Sequence, residues 1–286
     1  MKEHRQTWPT GLLCRMLGVS RTAYYHWLRH GPRKQDPMLE TMVKTLFESS
    51  LRTYGTRRIR KDLRDDHGWL VSRRRIRGVM QALGLRAKAR ARFRVATTDS
   101  NHRYACAPNR LGQNFRVAAP GKVYAGDITY IRTGEGWLYL ATVIDLYSRS
   151  VVGWATDSKL HTPLVLSAME RAKERRGSLS GAIFHSDRGS QYASDAFKDR
   201  LGRYGMVQSM SGKGNCYDNA VAESFFKTIK SEMIYHERFA SRWDAVRAIS
   251  AYINFYNQRR RHSYNDYQSP MKKELRWWQE HGLKAA

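Results

Sequence analysis

Three β-rich runs, at 123–132, 137–145 and 151–157, are separated only by the turn signals Gly134-Glu135-Gly136 and Ser148-Arg149-Ser150. A parallel neighbour needs a crossover of about a dozen residues, so links this short make the runs successive antiparallel strands. A helix-like segment at 163–176 follows, with Leu164, Ala168, Met169 and Ala172 on one side. Then come a short strand at 182–185, a helix near 195–204, a strand near 207–209 and a helix starting at Asp218 or Asn219. This order predicts an α/β mixed sheet flanked by helices.

Three carboxylates fall at telling places in that scheme. Asp127 lies in the first strand, Asp187 ends the fourth, which would be its neighbour, and Glu223 sits on the helix that follows, with 35 residues between Asp187 and Glu223. Each acid alone reads as a solvated turn or surface residue; the combination points to chemistry. At ~100° per residue Val221, Phe225 and Ile229 fall within a ~80° arc and form a buried ridge, with Glu223, Lys227 and Lys230 roughly opposite. Three unpaired carboxylates drawn together repel and take up protons. Divalent cations remove that conflict, and two ions ~3.5–4 Å apart can activate an attacking oxygen and stabilise the leaving oxygen of a phosphodiester. All-oxygen donors favour Mg2+ or Mn2+ over zinc. Asp127, Asp187 and Glu223 are therefore the expected catalytic residues and metal ligands, with two ions per site. Asp145, a fourth acid at a strand end, reads as structural, with a supporting polar role left open. The loop at 211–217 is either a clamp on the substrate strand, with Lys213 in it, or a plain surface loop. Lys227 and Lys230 lie one and two turns beyond Glu223, where they can meet phosphates.

The bulk charge agrees. Lys and Arg exceed Asp and Glu by 26 in 286 residues, an excess that calls for a polyanionic partner, most often nucleic acid. The apolar runs are strand-sized and exclude a membrane span. The three cysteines, Cys14, Cys106 and Cys216, are widely spaced, which fits thiols in a reducing cytoplasm. The polar N-terminus reads as lacking a secretory signal. His26 and His30 stand four apart without the cysteine half of a zinc site.

Upstream of the sheet the chain reads as helical. Leu12, Leu13, Met16 and Leu17 give one apolar face, Gly18-Val19-Ser20 a turn, and Ser20 the N-cap of a second helix. On that helix Arg21, Thr22 and His26 face outward, so a helix-turn-helix over 1–35 can place them in a major groove, although a helical hairpin that binds nothing has the same pattern. A second, basic helix-turn-helix spans 36–90. Ser72 caps a helix bearing Arg73, Arg74, Arg75 and Arg77, and Gly84 ends it. From Ser72 to Thr98 there are nine Lys/Arg and no Asp/Glu, a one-sign run that favours phosphate contact. Residues 91–119 read as a basic linker, in which Arg92 and Arg94 continue an alternation begun by Arg86, Lys88 and Arg90; it is either extended along a DNA backbone or disordered. The sheet unit occupies 120–235. A helical, basic extension follows at 236–286, with an amphipathic helix from Arg242 and a packed Trp277-Trp278.

Four stretches carry a family resemblance: Gly126-Asp127-Ile128-Thr129-Tyr130, Val143-Ile144-Asp145-Leu146-Tyr147-Ser148-Arg149, His185-Ser186-Asp187-Arg188-Gly189-Ser190-Gln191-Tyr192 and Asp218-Asn219-Ala220-Val221-Ala222-Glu223-Ser224-Phe225-Phe226. Together they resemble the integrase catalytic core of the DDE transposase and retroviral-integrase superfamily. Within it the chain looks most like OrfB-type transposases of the third bacterial insertion-sequence family. Tyr256-Asn257-Gln258-Arg259-Arg260-Arg261-His262 resembles that family's C-terminal Tyr-Asn-x-x-Arg-x-His element. Asn265 departs from the leucine common there. The resemblance implies a ribonuclease-H-like catalytic core preceded by helix-turn-helix segments. It further implies binding to terminal inverted repeats of double-stranded DNA, metal-dependent cleavage, and attack of the freed 3′-hydroxyl on target DNA. It implies a homo-multimer on DNA and an upstream-frame partner or frameshift fusion, ranks Lys230 above Lys227, and adds Arg260 and His262 as DNA contacts. Two rivals keep most of the pattern: a ribonuclease-H-like nuclease or resolvase, and a catalytically inert DNA-binding regulator.

Overall fold

The fold was taken from a computed structural model that describes residues 1, 3–31, 36–88, 104–212 and 216–282. Two helices open the chain, α1 (Thr10–Met16) and α2 (Arg21–His30). Ser20 caps α2 as expected, its Oγ accepting the Ala23 N–H at 3.1 Å, and Gly18 takes the positive φ of 61° that the turn requires. The apolar face expected on α1 stays largely uncovered, because seven residues pack against little beyond α2: Cys14 is buried, whereas Met16 and Leu17 are exposed.

Three further helices, α3 (Pro37–Ser49), α4 (Thr56–Asp65) and α5 (Arg73–Ala82), share a small core of Leu39, Val43, Phe47, Ile59, Leu63, Ile76 and Met80. Ser72 caps α5 by accepting the Arg75 N–H at 3.2 Å. Beyond it Gly84 adopts φ 65°.

The sheet follows, with β1 (Val123–Thr133), β2 (Gly136–Asp145), β3 (Val151–Asp157), α6 (Thr162–Arg176), β4 (Ile183–Ser186), α7 (Ser190–Ala193), α8 (Asp195–Arg203), β5 (Val207–Met210) and α9 (Ala220–Glu232). Its order among the described residues is β3-β2-β1-β4-β5. The short links do make β1, β2 and β3 antiparallel neighbours, while β4 and β5 join in parallel after helical crossovers. This is the mixed, ribonuclease-H-like sheet that the element order predicts. Period-two alternation sends Leu138, Leu140 and Ile144 of β2 to one face and Ala141 and Val143 to the other. The first face is covered by α9 and by α10 (Arg242–Gln258), in one continuous apolar cluster with α3–α5; the second is covered by α6–α8. A last helix, α11 (Pro270–Glu280), carries Trp277 and Trp278 edge-to-face at 4.7 Å.

Two observations explain how the ends of the chain are bound in. Asn257 of α10 grips the edge of β3, its side chain accepting the Val151 N–H at 2.9 Å and donating to the Val151 carbonyl at 2.8 Å. Asp145, wholly buried, accepts from the Gly121 and Tyr147 N–H groups and pairs with Arg176 at 3.2 Å; Arg176 in turn holds Glu274 of α11 at 2.7 Å. Burial raises the Asp145 carboxyl to about 6 despite the Arg176 charge, as befits a structural acid. The stretch 104–119 is irregular yet anchored, with Leu111 buried and the Arg110 N–H donating to Ser209 Oγ at 2.9 Å.

Close packing of β3 on α6 gives a test of this arrangement. A Cβ on Gly153 would lie 2.2 Å from the Ala168 carbonyl oxygen, and backbone cannot swing aside as a side chain can. Gly153→Ala should therefore lower unfolding stability by about 1–3 kcal/mol in urea titration.

Candidate active site

Parallel pairing of β1 with β4 joins Val123 to Ile183, Tyr124 to Phe184 and Ala125 to His185. Two residues beyond the last pair stand Asp127 on β1 and Asp187 just past the end of β4, so the register sets these acids level with each other. Asp127 shares strand parity with Ala125 and Ile131, which are buried on the α9 side, and so faces that helix. Its Oδ1 accepts the Ile128 N–H at 2.8 Å. Asp187 accepts the Gly189 N–H at 3.0 Å. Glu223 lies in the first turn of α9, half-buried, with Oε2 3.4 Å from Lys227 Nζ.

The electrostatics tie the three together. Burial lifts the Asp127 carboxyl well above the usual carboxylate range, and the charges of Asp187 and Glu223 push it further the same way; the Ile128 N–H and Lys230 oppose them. The buried Tyr192 hydroxyl is raised as well, first by burial and then by Asp127 and Asp187. Such mutual disfavour of ionisation is relieved by a divalent cation, and three carboxylates form the donor set that a hard cation takes. Among the described residues no three His, Cys, Asp or Glu side chains already stand together at ligating distance. The exposed Glu223–Lys227 pair is of a kind worth about 0–1 kcal/mol, so little opposes Glu223 turning from it toward an ion.

Helix α9 is secured at both ends. At its start Asn219 Nδ2 donates to the Gly126 carbonyl at 3.3 Å, one residue before Asp127. The adjacent Asp218 is buried and accepts from the Gly212 N–H at 2.7 Å, Asn109 at 2.9 Å and Gln113 at 3.0 Å. Burial alone would raise its carboxyl; these donors outweigh that and hold it below its ordinary value. At the far end Glu232 receives Arg260 Nε at 2.7 Å and Nη2 at 2.6 Å, the Tyr252 hydroxyl at 2.8 Å and Arg58 at 3.4 Å. None of these anchors was identified from the sequence. Asp218 and Asn219 belong to a motif singled out there, but the side-chain partners of Asp218 lie 105 and 109 residues away.

Glu232 also corrects an expectation. Arg260 is only 3 % exposed, with its guanidinium committed to that carboxylate, and cannot reach a phosphate. Its neighbour in the same motif, His262, is half-buried against Tyr256 and accepts the Tyr264 N–H at 3.3 Å. Burial, then the charges of Arg260 and Arg149, push its pKa down to about 3. The other expected contacts divide by location. Arg21, Thr22 and His26 are exposed on α2, and Arg73, Arg74, Arg75 and Arg77 on α5, where Arg75 also pairs with Asp36 at 2.6 Å. Lys227 is exposed beside Glu223, whereas Lys230 is half-buried over the Tyr130 ring at 5.4 Å, its ammonium pKa lowered by burial. Lys213, Arg90, Arg92 and Arg94 lie outside the described residues.

Comparison with known proteins fits this geometry. Residues 117–216 and 204–270 match two family models, each described as an integrase core domain, and residues 34–93 match an HTH-like domain. An uncharacterized 31 kDa protein of insertion element IS600 from Shigella sonnei is 43% identical over 255 residues, covering 88% of this chain and 93% of that protein. The InsF transposase of insertion sequence IS3A from Escherichia coli K12 is 37% identical over 270 residues, covering 92% and 93%. Among solved structures, the HTLV-2 integrase catalytic core in complex with magnesium is 16% identical with a TM-score of 0.44, over 56% of this chain and 99% of that one. An integrase core behind an HTH-like domain defines the class, that of DDE-type transposases. Within that class the chain belongs to the insertion-sequence transposases of the IS3 family.

The reassignment of Arg260 is open to measurement. Arg260→Ala strands the buried Glu232 carboxylate and should cost about 3–5 kcal/mol of stability in urea unfolding. At temperatures where the variant stays folded, its affinity for duplex DNA in gel shifts should match that of the parent.

Proposed function

We propose that the chain grips the ends of its own element through α2 and α5, and that Asp127, Asp187 and Glu223 hold two divalent cations at which the terminal phosphodiester is cut and rejoined. The observation that carries this reading is the register that sets Asp127 level with Asp187 beneath the helix bearing Glu223. When bound, Mg2+ or Mn2+ activates the attacking oxygen and stabilises the leaving one. The chain's own residues do the rest. Asn219 ties the start of α9 to the strand carrying Asp127, so the helix backbone that bears Glu223 is held close to that strand while the Glu223 side chain can turn. Lys230, beside Asp127, and Lys227, one turn past Glu223, supply ammonium groups for phosphates of the bound end. The exposed arginines of α5 add further phosphate contacts. In the first step water attacks the phosphorus and the 3′-oxygen leaves with a proton. In the second that 3′-hydroxyl attacks a target phosphodiester and displaces its 3′-oxygen. No covalent enzyme–DNA bond is needed.

Multimeric assembly on paired ends, and a helix-turn-helix protein encoded by an upstream frame or fused by frameshift, belong to the same reading. The excess of 26 positive charges supports contact with more than one DNA segment.

Three experiments test it. Glu223→Gln should lower cleavage of a labelled element end by about 10³-fold, the equivalent of several kcal/mol of metal-derived stabilisation, with gel-shift affinity unchanged. Chelation should stop the parent enzyme, and added Mg2+ or Mn2+ should restore joined products; hydrolysis without joining would exclude transposition. Separately, replacing Arg73, Arg74 and Arg77 by Ala should shrink the log–log salt slope of DNA binding by about 0.9 for each phosphate no longer neutralised.

A further inference from the structure

The segment that carries α5 is fastened to the rest of the molecule by a charge cluster at the end of α4. Arg261, buried, directs Nε to Asp62, Nη1 to Asp65 at 3.0 Å and Nη2 to Asp66 at 2.6 Å, and Nη1 also donates to the Tyr267 carbonyl at 2.9 Å. The Arg261 N–H donates to the Tyr54 hydroxyl at 2.6 Å, and that hydroxyl donates to the Arg259 carbonyl at 3.1 Å. Only a guanidinium presents donors in enough directions to hold three carboxylates and a carbonyl together. Beside this cluster a cleft of about 310 Å³ opens between parts of α3, α4 and α10, and Asp62, Asp66 and Arg261 line it. The ion pairs thus add a polar tie to the apolar cluster that already joins α3–α5 to α10.

The next residue back in the chain, Arg260, grips Glu232, the last residue of the helix whose first turn carries Glu223. One dipeptide thus holds the helical unit that presents Arg73, Arg74 and Arg77 with one hand and the helix of the acid site with the other. Ile59, Leu63 and Ile76 pack α4 against α5 in a shared core, so a change at the Arg261 cluster would reach α5, and any duplex it grips, through that packing. One base pair corresponds to only ~3.4 Å of rise.

We propose that Arg261 is a positioning residue that sets, through Asp62, Asp65 and Asp66, the number of base pairs between the duplex segment gripped by α5 and the phosphodiester cut at the acid site. The inference rests on the DNA-cutting role proposed above. Its readout is a position rather than a rate, which a merely stabilising residue would not move.

The test uses the full-length chain with Mg2+ and an end-labelled duplex spanning the junction between the element carrying this reading frame and its flanking DNA. Cut positions are read to the nucleotide beside a nuclease footprint. The parent should cut one phosphodiester, and two base pairs inserted between footprint and junction, a shift of ~7 Å, should move the cut with the footprint. Arg261→Lys and the double variant Asp65→Asn/Asp66→Asn should keep the footprint and spread the cuts over neighbouring phosphodiesters. The double variant removes the two more exposed carboxylates and spares the buried Asp62, so it keeps the test decisive even if Arg261→Lys fails to fold. Cuts that stay at the single parental position in the double variant overturn the proposal, as does a fall in rate with position unchanged. Failure of the parent to cut the junction duplex at all would instead overturn the DNA-cutting reading, and the inference with it.

Discussion

The molecule hinges on three residue pairs between β1 and β4. Among the described residues, parallel pairing of Val123, Tyr124 and Ala125 with Ile183, Phe184 and His185 is the only ladder joining the antiparallel half of the sheet to its parallel half. It is held from below by Phe184, whose ring lies so close to Gly126 that a Cβ there would stand 2.3 Å from it. Immediately past this ladder the two strands deliver Asp127 and Asp187. Slipping the register by one residue would send one carboxylate to the opposite face of the sheet. The glycine at 126 is thus part of the same constraint, since any side chain would push β1 away from β4 where the acids must stay level.

Helix α9 completes the site because it is held at both ends rather than along its length alone. Asn219 and Asp218 fix its start to β1 and to the irregular stretch at 104–119, while Glu232 fixes its end to Arg260 and Arg58. Burial by itself would lift the Glu232 carboxyl, yet the Arg260 hydrogen bonds and charge hold it below its ordinary value. The contrast with Asp127 is informative. One acid, Glu232, is matched by arginine and forms part of the frame; the other, Asp127, stands among like charges that raise its carboxyl.

What could be read from the sequence was what depends on neighbours along the chain. Short links dictated the antiparallel strands, alternation sorted Leu138 and Leu140 from Ala141 and Val143, and helical periodicity placed Phe225 and Ile229 inward. The roles of Glu232, Arg260 and Arg261 depend instead on contacts across 28 to 199 residues, and no local pattern announces them. A basic run reads the same whether it faces phosphate or a buried carboxylate. Arg260, taken as a DNA contact from the family motif it belongs to, is instead buried against Glu232. Periodicity also failed on α1, where an apolar stripe met too little protein to cover it.

The network around Asp145 bears on the order in which the chain can fold. Asp145 and Arg176 leave the ribosome early relative to Glu274, which completes their charge balance and also accepts the Ser148 hydroxyl. Asn257, which binds the edge of β3, is likewise a late arrival. The sheet can pair its strands while translation is still under way, but its deepest charges are matched only when the final helix has been made. Until α11 has been made, Arg176 and Ser148 lack the Glu274 carboxylate that they meet in the folded chain.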